Sequence, residues 1–104
     1  MKDATGGRLT LLVLGAIESG ATHGYAIIEL LRERSGGAFD LAEGSVYPVL
    51  HRLERDGHLQ SRWSPVAGRR RRIYRLTAAG RTALDGQRRD WQTFVSAVTA
   101  VVHG

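Results

Sequence analysis

Gly68-Arg69-Arg70-Arg71-Arg72 is where chemistry is most concentrated in this 104-residue chain: four adjacent guanidinium groups, each able to make paired, planar hydrogen bonds to phosphate or carboxylate oxygens. Residues 51–75 hold eight arginines against only Glu54 and Asp56, a local charge of +6, whereas the remainder of the chain sums to −1. A basic patch on a nearly neutral body reads as a docking surface for a polyanion. Like-sign repulsion would disfavour such a run without an anionic partner.

Other chemistries lack their residues. With no cysteine there is no thiolate nucleophile, disulfide or thiolate metal site. His23, His51, His58 and His103 show no i, i+4 metal-binding pair and no HExxH. His23 reads instead as a hydrogen-bonding group at the start of a helix. Neither GxGxxG nor GxxxxGK[ST] occurs. The expectation is a non-enzyme with no cofactor and no metal. The longest apolar run, Leu9 to Ile17, is broken by Thr10 and Gly15 and stopped by Glu18, too short for a membrane span. The opening stretch Met1 to Gly7 has no persuasive leader features, so a soluble, cytoplasmic protein with no membrane partner is expected.

The elements that must position the arginines follow from periodicity. Leu9, Leu12, Val13, Ala16 and Ile17 form one helical face, ended by Ser19-Gly20. A second helix follows Thr22 as possible N-cap, with Tyr25, Ile28 and Leu31 on a stripe widened by Ile27 and Leu30, and stops at Ser35-Gly36-Gly37. Phe39 and Leu41 in the link are expected to plug the core. Val46, Val49, Leu50 and Leu53 mark a third helix ended by Asp56-Gly57. The period then falls to two: Leu59 to Ser64 and Arg72 to Leu76 read as strands around a loose tip, Pro65-Val66-Ala67-Gly68. From Thr77, a good N-cap, helical spacing returns to Val102.

This order is mainly α with a small β-hairpin: a winged helix-turn-helix over residues 1–76, plus a C-terminal dimerisation helix over 77–104 in the same compact unit. A two-stranded hairpin is marginal alone and must lie against the third helix. That helix buries Val46, Val49, Leu50 and Leu53 and turns Gly44, Pro48, His51 and Arg55 outward, with Tyr47 and Arg52 on the flanks. The outer face could enter a major groove, with Gly44 and Ser45 offering backbone N–H groups to phosphate. Tyr47 could donate its hydroxyl to phosphate or pack partly into the core. Ala42 is a poor N-cap. Ser45 could cap instead, placing Pro48 in the first turn.

Leu12-Val13-Leu14-Gly15, His23-Gly24-Tyr25-Ala26-Ile27, Gly44-Ser45-Val46-Tyr47-Pro48-Val49-Leu50-His51-Arg52-Leu53, Gly57-His58-Leu59 and Tyr74-Arg75-Leu76-Thr77-Ala78-Ala79-Gly80 together resemble the PadR family of bacterial transcriptional regulators. The likeness runs from about Leu9 to Leu84. It implies a homodimeric winged-helix repressor, of the smaller subfamily with one C-terminal helix, that binds a pseudo-palindromic operator in double-stranded DNA. In the family pattern the third helix starts earlier and carries the proline inside it. Ala21-Thr22 and Ala42-Glu43 depart from that pattern, which more often has a Pro-apolar pair and Ser-Pro there. The residues assigned to DNA are Tyr25, Gly44, Ser45, Tyr47, Pro48, His51, Arg52 and Arg55, with Arg69, Arg70, Arg71 and Arg72 on the wing.

The last helix has a different task. Leu84, Trp91 and Val98 are spaced by seven, and Phe94, Val95, Val101 and Val102 fill the stripe between and beyond them. From Ala78 to Val102 such a helix is about 37 Å long, more than a lone small domain covers, so a two-fold dimer seam is expected. The resemblance also implies a flat cavity at the dimer centre in multidrug-sensing relatives, which makes Trp91 a candidate for sandwiching a planar aromatic effector. Plain packing of Trp91 in the dimer is the favoured reading. The competing class is a winged-helix protein-interaction or dimerisation module that binds no nucleic acid. RNA binding is disfavoured by the expected lack of an exposed aromatic platform.

Overall fold

The computed structural model describes residues 5–104; Met1 to Ala4, the first part of the opening stretch discussed above, lie outside them. The chain runs α1 (Leu9–Glu18), α2 (Gly24–Arg34), α3 (Glu43–Arg55), β1 (Leu59–Val66), β2 (Arg69–Leu76) and α4 (Ala78–His103). It is the expected winged helix-turn-helix with a long terminal helix.

α1 is the hub, touching α2, α3, α4 and β2. Val13, Leu14, Ala16 and Ile17 are all buried. Leu14 lies off the stripe read from sequence, because neighbours on several sides bury more than one face. α2 shows a different shift. Its fully buried positions are Gly24, Ile27 and Leu31, and Tyr25, placed on the inner stripe by periodicity, is 53% exposed. Phe39 and Leu41 pack against the core as expected.

The caps explain the helix boundaries. The N-cap of α2 is His23, not Thr22: its Nδ1 accepts from the Ala26 N–H at 3.3 Å. α3 begins with Ala42 in the cap position and no side-chain cap. Ser45 is therefore inside the helix, and Pro48 sits beyond its first turn. There Pro48 removes the N–H that the Gly44 carbonyl would accept, a cost borne at an exposed position of an otherwise well-buried helix. α3 ends where the His58 N–H reaches the Leu53 carbonyl at 2.9 Å and the Gly57 N–H reaches that of Glu54 at 3.0 Å. Gly57 holds φ 81° to close this turn, a left-handed conformation that favours glycine.

The two strands pair antiparallel from Leu59↔Leu76 to Val66↔Arg69. The tip is tighter than the four-residue loop expected: only Ala67 and Gly68 remain unpaired, at φ 51° and 76°, the paired left-handed residues of a two-residue hairpin turn. Pro65 belongs to β1 opposite Arg70, tolerated because a two-stranded ribbon is all edge. Leu59, Tyr74 and Leu76 anchor the base of the hairpin in the core. Its second strand, β2, is tied to the α1–α2 link by the Tyr74 N–H donating to the Thr22 carbonyl at 2.7 Å.

Thr77 caps α4 as its sequence position predicts. Its Oγ1 accepts from the Gly80 N–H at 3.0 Å and donates to the Gly57 carbonyl at 2.6 Å. Gly80 lets the helix pass directly over the turn after α3, where a methyl group would collide with the His58 carbonyl oxygen. Gly80→Ala should therefore lower the melting temperature more than a helix-favouring substitution elsewhere on α4 raises it, at a cost of about 1–3 kcal/mol. An unchanged melting curve would show that the turn after α3 can move aside.

Candidate nucleic-acid interface

α3 presents Gly44, Ser45, Pro48, His51, Arg52 and Arg55 to solvent, while Val46, Val49, Leu50 and Leu53 face inward, the division read from sequence. At the start of α3 the Glu43 and Gly44 N–H groups have no intrahelical acceptor and no side-chain cap, whereas the Ser45 N–H already donates to the Ala42 carbonyl at 3.0 Å. Tyr47 is half-buried. Its ring rests on Gly24, where an added Cβ would lie 2.5 Å from Oη. Tyr47 thereby sets the approach of α3 to α2, with His51 stacked obliquely beside it at 6.3 Å between ring centres. Arg52 reaches back to α1 and donates to Thr10 Oγ1 at 2.5 Å, so its guanidinium is already partly engaged within the chain.

The wing sorts its arginines by strand alternation. Arg70 and Arg72 share a face with Trp63, and Arg69 and Arg71 lie on the other. Arg72 is an anchor: its Nε donates to Ser61 Oγ at 2.8 Å and its Nη2 lies 3.8 Å from Glu54 of α3. Ser61 in turn donates to Glu54 Oε2 at 2.5 Å. Glu54, Ser61 and Arg72 thus fix the wing to α3. Arg71 folds back toward the start of α2, its guanidinium carbon 5.8 Å from the Tyr25 ring centre and its Nε buried without an acceptor. Among the described residues, Arg55, Arg69 and Arg70 form no ion pair. The sequence did not separate these free cations from the anchored ones.

Two exposed aromatics lie beside the wing arginines. Trp63 is 52% exposed with Arg70 and Arg72 over its ring at 5.0 and 5.3 Å, and Tyr25 lies beneath Arg71. Each ring already carries arginine, and the two lie on opposite sides of the ribbon, so they do not form one aromatic platform.

His23 is a titratable group at a structural position, the N-cap of α2. Burial, and secondarily the Arg71 charge, hold its pKa below the ordinary histidine value. Its cap also requires the neutral ring, since a protonated Nδ1 cannot accept from Ala26. The unfolded chain binds this proton more readily than the folded one. Stability from His23 should consequently be complete above the ordinary value of about 6.5 and fall as the pH drops toward the lowered folded value. His23→Asn, which can cap without titrating there, should remove that part of the pH dependence in thermal melts. An identical slope in both chains would contradict this role.

The sequence profile of the transcriptional regulator PadR-like family matches residues 13–86. The chain belongs to that family. A transcriptional regulator of Mycobacterium tuberculosis (strain ATCC 25618 / H37Rv), Rv3488, is 50% identical over 60 residues, which span 58% of this chain and 56% of that relative's length. A PadR family transcription regulator from Clostridium difficile R20291 superimposes with a TM-score of 0.78 at 30% identity, covering 94% of this chain and all of the other. A transcriptional regulator from Clostridium thermocellum shares the fold at TM-score 0.84 and 22% identity, covering 98% and 97% of the two chains.

In this PadR-like chain the terminal helix divides in two. Leu84, assigned from its spacing to the dimer seam, is 1% exposed within a single chain and belongs to that chain's core with Gly80. Beyond it, Trp91, Phe94, Val98, Val101 and Val102 are exposed and Val95 is half-buried. An apolar groove of about 440 Å³ runs between α1, α2 and α4, lined by Leu11, Leu12, Leu30, Phe39, Leu84 and Trp91 among others. Trp91 and Phe94 lie 6.1 Å apart, with the Arg8 guanidinium over both rings at 4.8 and 4.6 Å. Among the described residues no helix is long and apolar enough to cross a membrane, and no histidine–carboxylate cluster could hold a metal.

Proposed function

We propose that this PadR-like chain is a homodimeric repressor acting on chromosomal DNA in the cytoplasm, with residues up to 76 reading the duplex and α4 forming the dimer. The observation that carries the reading is the Glu54–Ser61–Arg72 link, which holds a wing bearing unpaired Arg69 and Arg70 in fixed relation to the exposed face of α3. Rigid placement of helix and wing lets base edges and phosphates be met together. His51 and Arg55 on the outer face are the base-reading candidates. Gly44 and Ser45 approach the DNA backbone at the helix start, with Pro48 one turn further along the same outer face and Tyr47 and Arg52 on the flanks. Arg69 to Arg72, with Tyr25 beneath Arg71, supply the wing contact. Two α3 helices across a two-fold axis should lie about 34 Å apart, or a multiple of it.

A gel shift with the promoter region beside the gene, alongside duplex RNA of the same sequence, tests this reading over a range of salt. Retarded DNA whose affinity falls steeply with salt is expected. Equal retention of RNA, or DNA affinity indifferent to salt, would overturn it.

Two apolar surfaces on one chain support the dimer, the outer stripe of α4 and the groove beside α1. Each is left open in the monomer. A second copy covers such surfaces at no extra design cost, because a two-fold interface uses the same patch twice. Trp91 is a packing residue in this arrangement, its ring already carrying the Arg8 guanidinium. Titrating planar aromatic cations into the Trp63→Phe chain should then give no saturable quenching of Trp91. Saturable quenching coupled to release of operator DNA would make Trp91 an effector site instead.

A further inference from the structure

We propose that Trp63 is itself a DNA-contacting residue of the wing, packing its indole against the deoxyribose edge of the groove while Arg70 reaches the adjoining phosphate. This rests on the DNA-binding reading above and adds to it an apolar contact on a surface otherwise described by charge.

Trp63 is held in one place by its neighbours. It lies directly opposite Arg72 in the strand register, with Arg70 two residues further along the same face of β2. Both guanidinium carbons sit over its ring, at 5.3 and 5.0 Å. Arg72 cannot swing away freely, because Ser61 and Glu54 hold it. Arg70 has no ion pair among the described residues. The indole is thus clamped on the side that leads to α3 and flanked, on the side that leads to the tip, by Arg70, a cation with no ion pair among the described residues. It remains 52% exposed.

A flat apolar ring next to a free guanidinium is complementary to a sugar next to a phosphate. In an intact duplex the base faces are covered by stacking, and the apolar surface offered at a groove edge is the C–H face of deoxyribose. Stacking on successive bases of a single strand needs a run of open rings. Here the exposed aromatic that a wing arginine covers besides Trp63, Tyr25, belongs to α2 and lies under Arg71, which points from the opposite face of the wing. Two rings separated by the ribbon do not make a continuous track, which favours the duplex. The adjoining positive charge supplies the attraction that brings the ring into place.

The test compares the wild type with Trp63→Ala, Trp63→Phe and Arg70→Ala on A·T-rich and G·C-rich duplexes of about 20 base pairs and on a single strand of equal length, across salt. Trp63→Ala should weaken duplex binding about fivefold to tenfold at every salt concentration, giving a line parallel to the wild type because no charge is lost. Trp63→Phe should stay within about twofold. Arg70→Ala should flatten the slope by about one phosphate contact. Duplex should also shift the tryptophan emission of the wild type at its binding midpoint more than that of Trp63→Phe. Equal affinity of Trp63→Ala and wild type overturns the proposal while leaving DNA binding intact. A flattened slope in Trp63→Ala shows that the ring only positions Arg70. A loss confined to the single strand assigns Trp63 to base stacking instead. If the wild type retains no duplex, the DNA-binding reading fails and this proposal with it.

Discussion

A chain with Arg69, Arg70 and Arg71 all changed to alanine should fold normally and bind every duplex roughly a hundredfold more weakly at ~0.1 M salt, with a salt slope shallower by about the phosphate contacts of the two free cations, Arg69 and Arg70. The fold should survive because the core contribution of β2 comes from Tyr74 and Leu76, and the three arginines stand at its tip end. Arg72 is retained in this variant because it bonds Ser61 and faces Glu54, so its loss would mix a wing displacement with a charge effect. His51→Ala provides the contrast. It removes a group from the exposed face of α3 and should change preference among duplexes by about 1–3 kcal/mol at a position it reads, with little change in slope. Measured affinities against operator and random duplex at several salt concentrations separate the two. Wild-type affinity in the triple variant would take the wing out of the interface.

Val98→Asp combined with Val101→Asp should give a well-folded monomer that no longer retains operator DNA. Both side chains are exposed in the single chain, so neither contributes to its core, and the far-ultraviolet spectrum should be unchanged. In a two-fold dimer each substitution counts twice. Burial of a valine side chain is worth about 1.5–3 kcal/mol, so four lost sites approach the whole of a nanomolar association energy, and the new carboxylates add a desolvation cost. Sedimentation should show the wild type as a dimer and the variant as a monomer at the same concentration. DNA affinity should fall with it, because a monomer presents one recognition helix instead of a linked pair. A variant that remains dimeric would move the seam away from the outer half of α4.

The element order and the inner face of α3 were legible because periodicity is a local property: Val46, Val49, Leu50 and Leu53 recur at helical spacing and all four are buried. Thr77 was legible as a cap for the same reason. The misplacements are equally physical. Tyr25 fits the apolar stripe of α2 by type, yet α2 turns Gly24 to the core, since only a glycine admits the Tyr47 ring there. Leu84 fits a seven-residue repeat, yet the first turns of α4 lie across the core before the helix leaves it. Pro48 suggested a later start for α3, whereas packing of Val46, Val49, Leu50 and Leu53 carries the helix through the proline.

Sequence by itself determined the winged-helix order, the absence of thiol chemistry and the concentration of +6 charge in residues 51–75, because each depends only on composition and local spacing. Tertiary structure alone decided which arginines remain available. Glu54 lies on α3 and Ser61 and Arg72 on opposite strands of the wing, and their association depends on how the hairpin packs against the helix. Charge pairing falls off with distance through space, which chain order does not fix, so a run of four equivalent arginines becomes an anchor at Arg72, a folded-back group at Arg71 and free cations at Arg69 and Arg70.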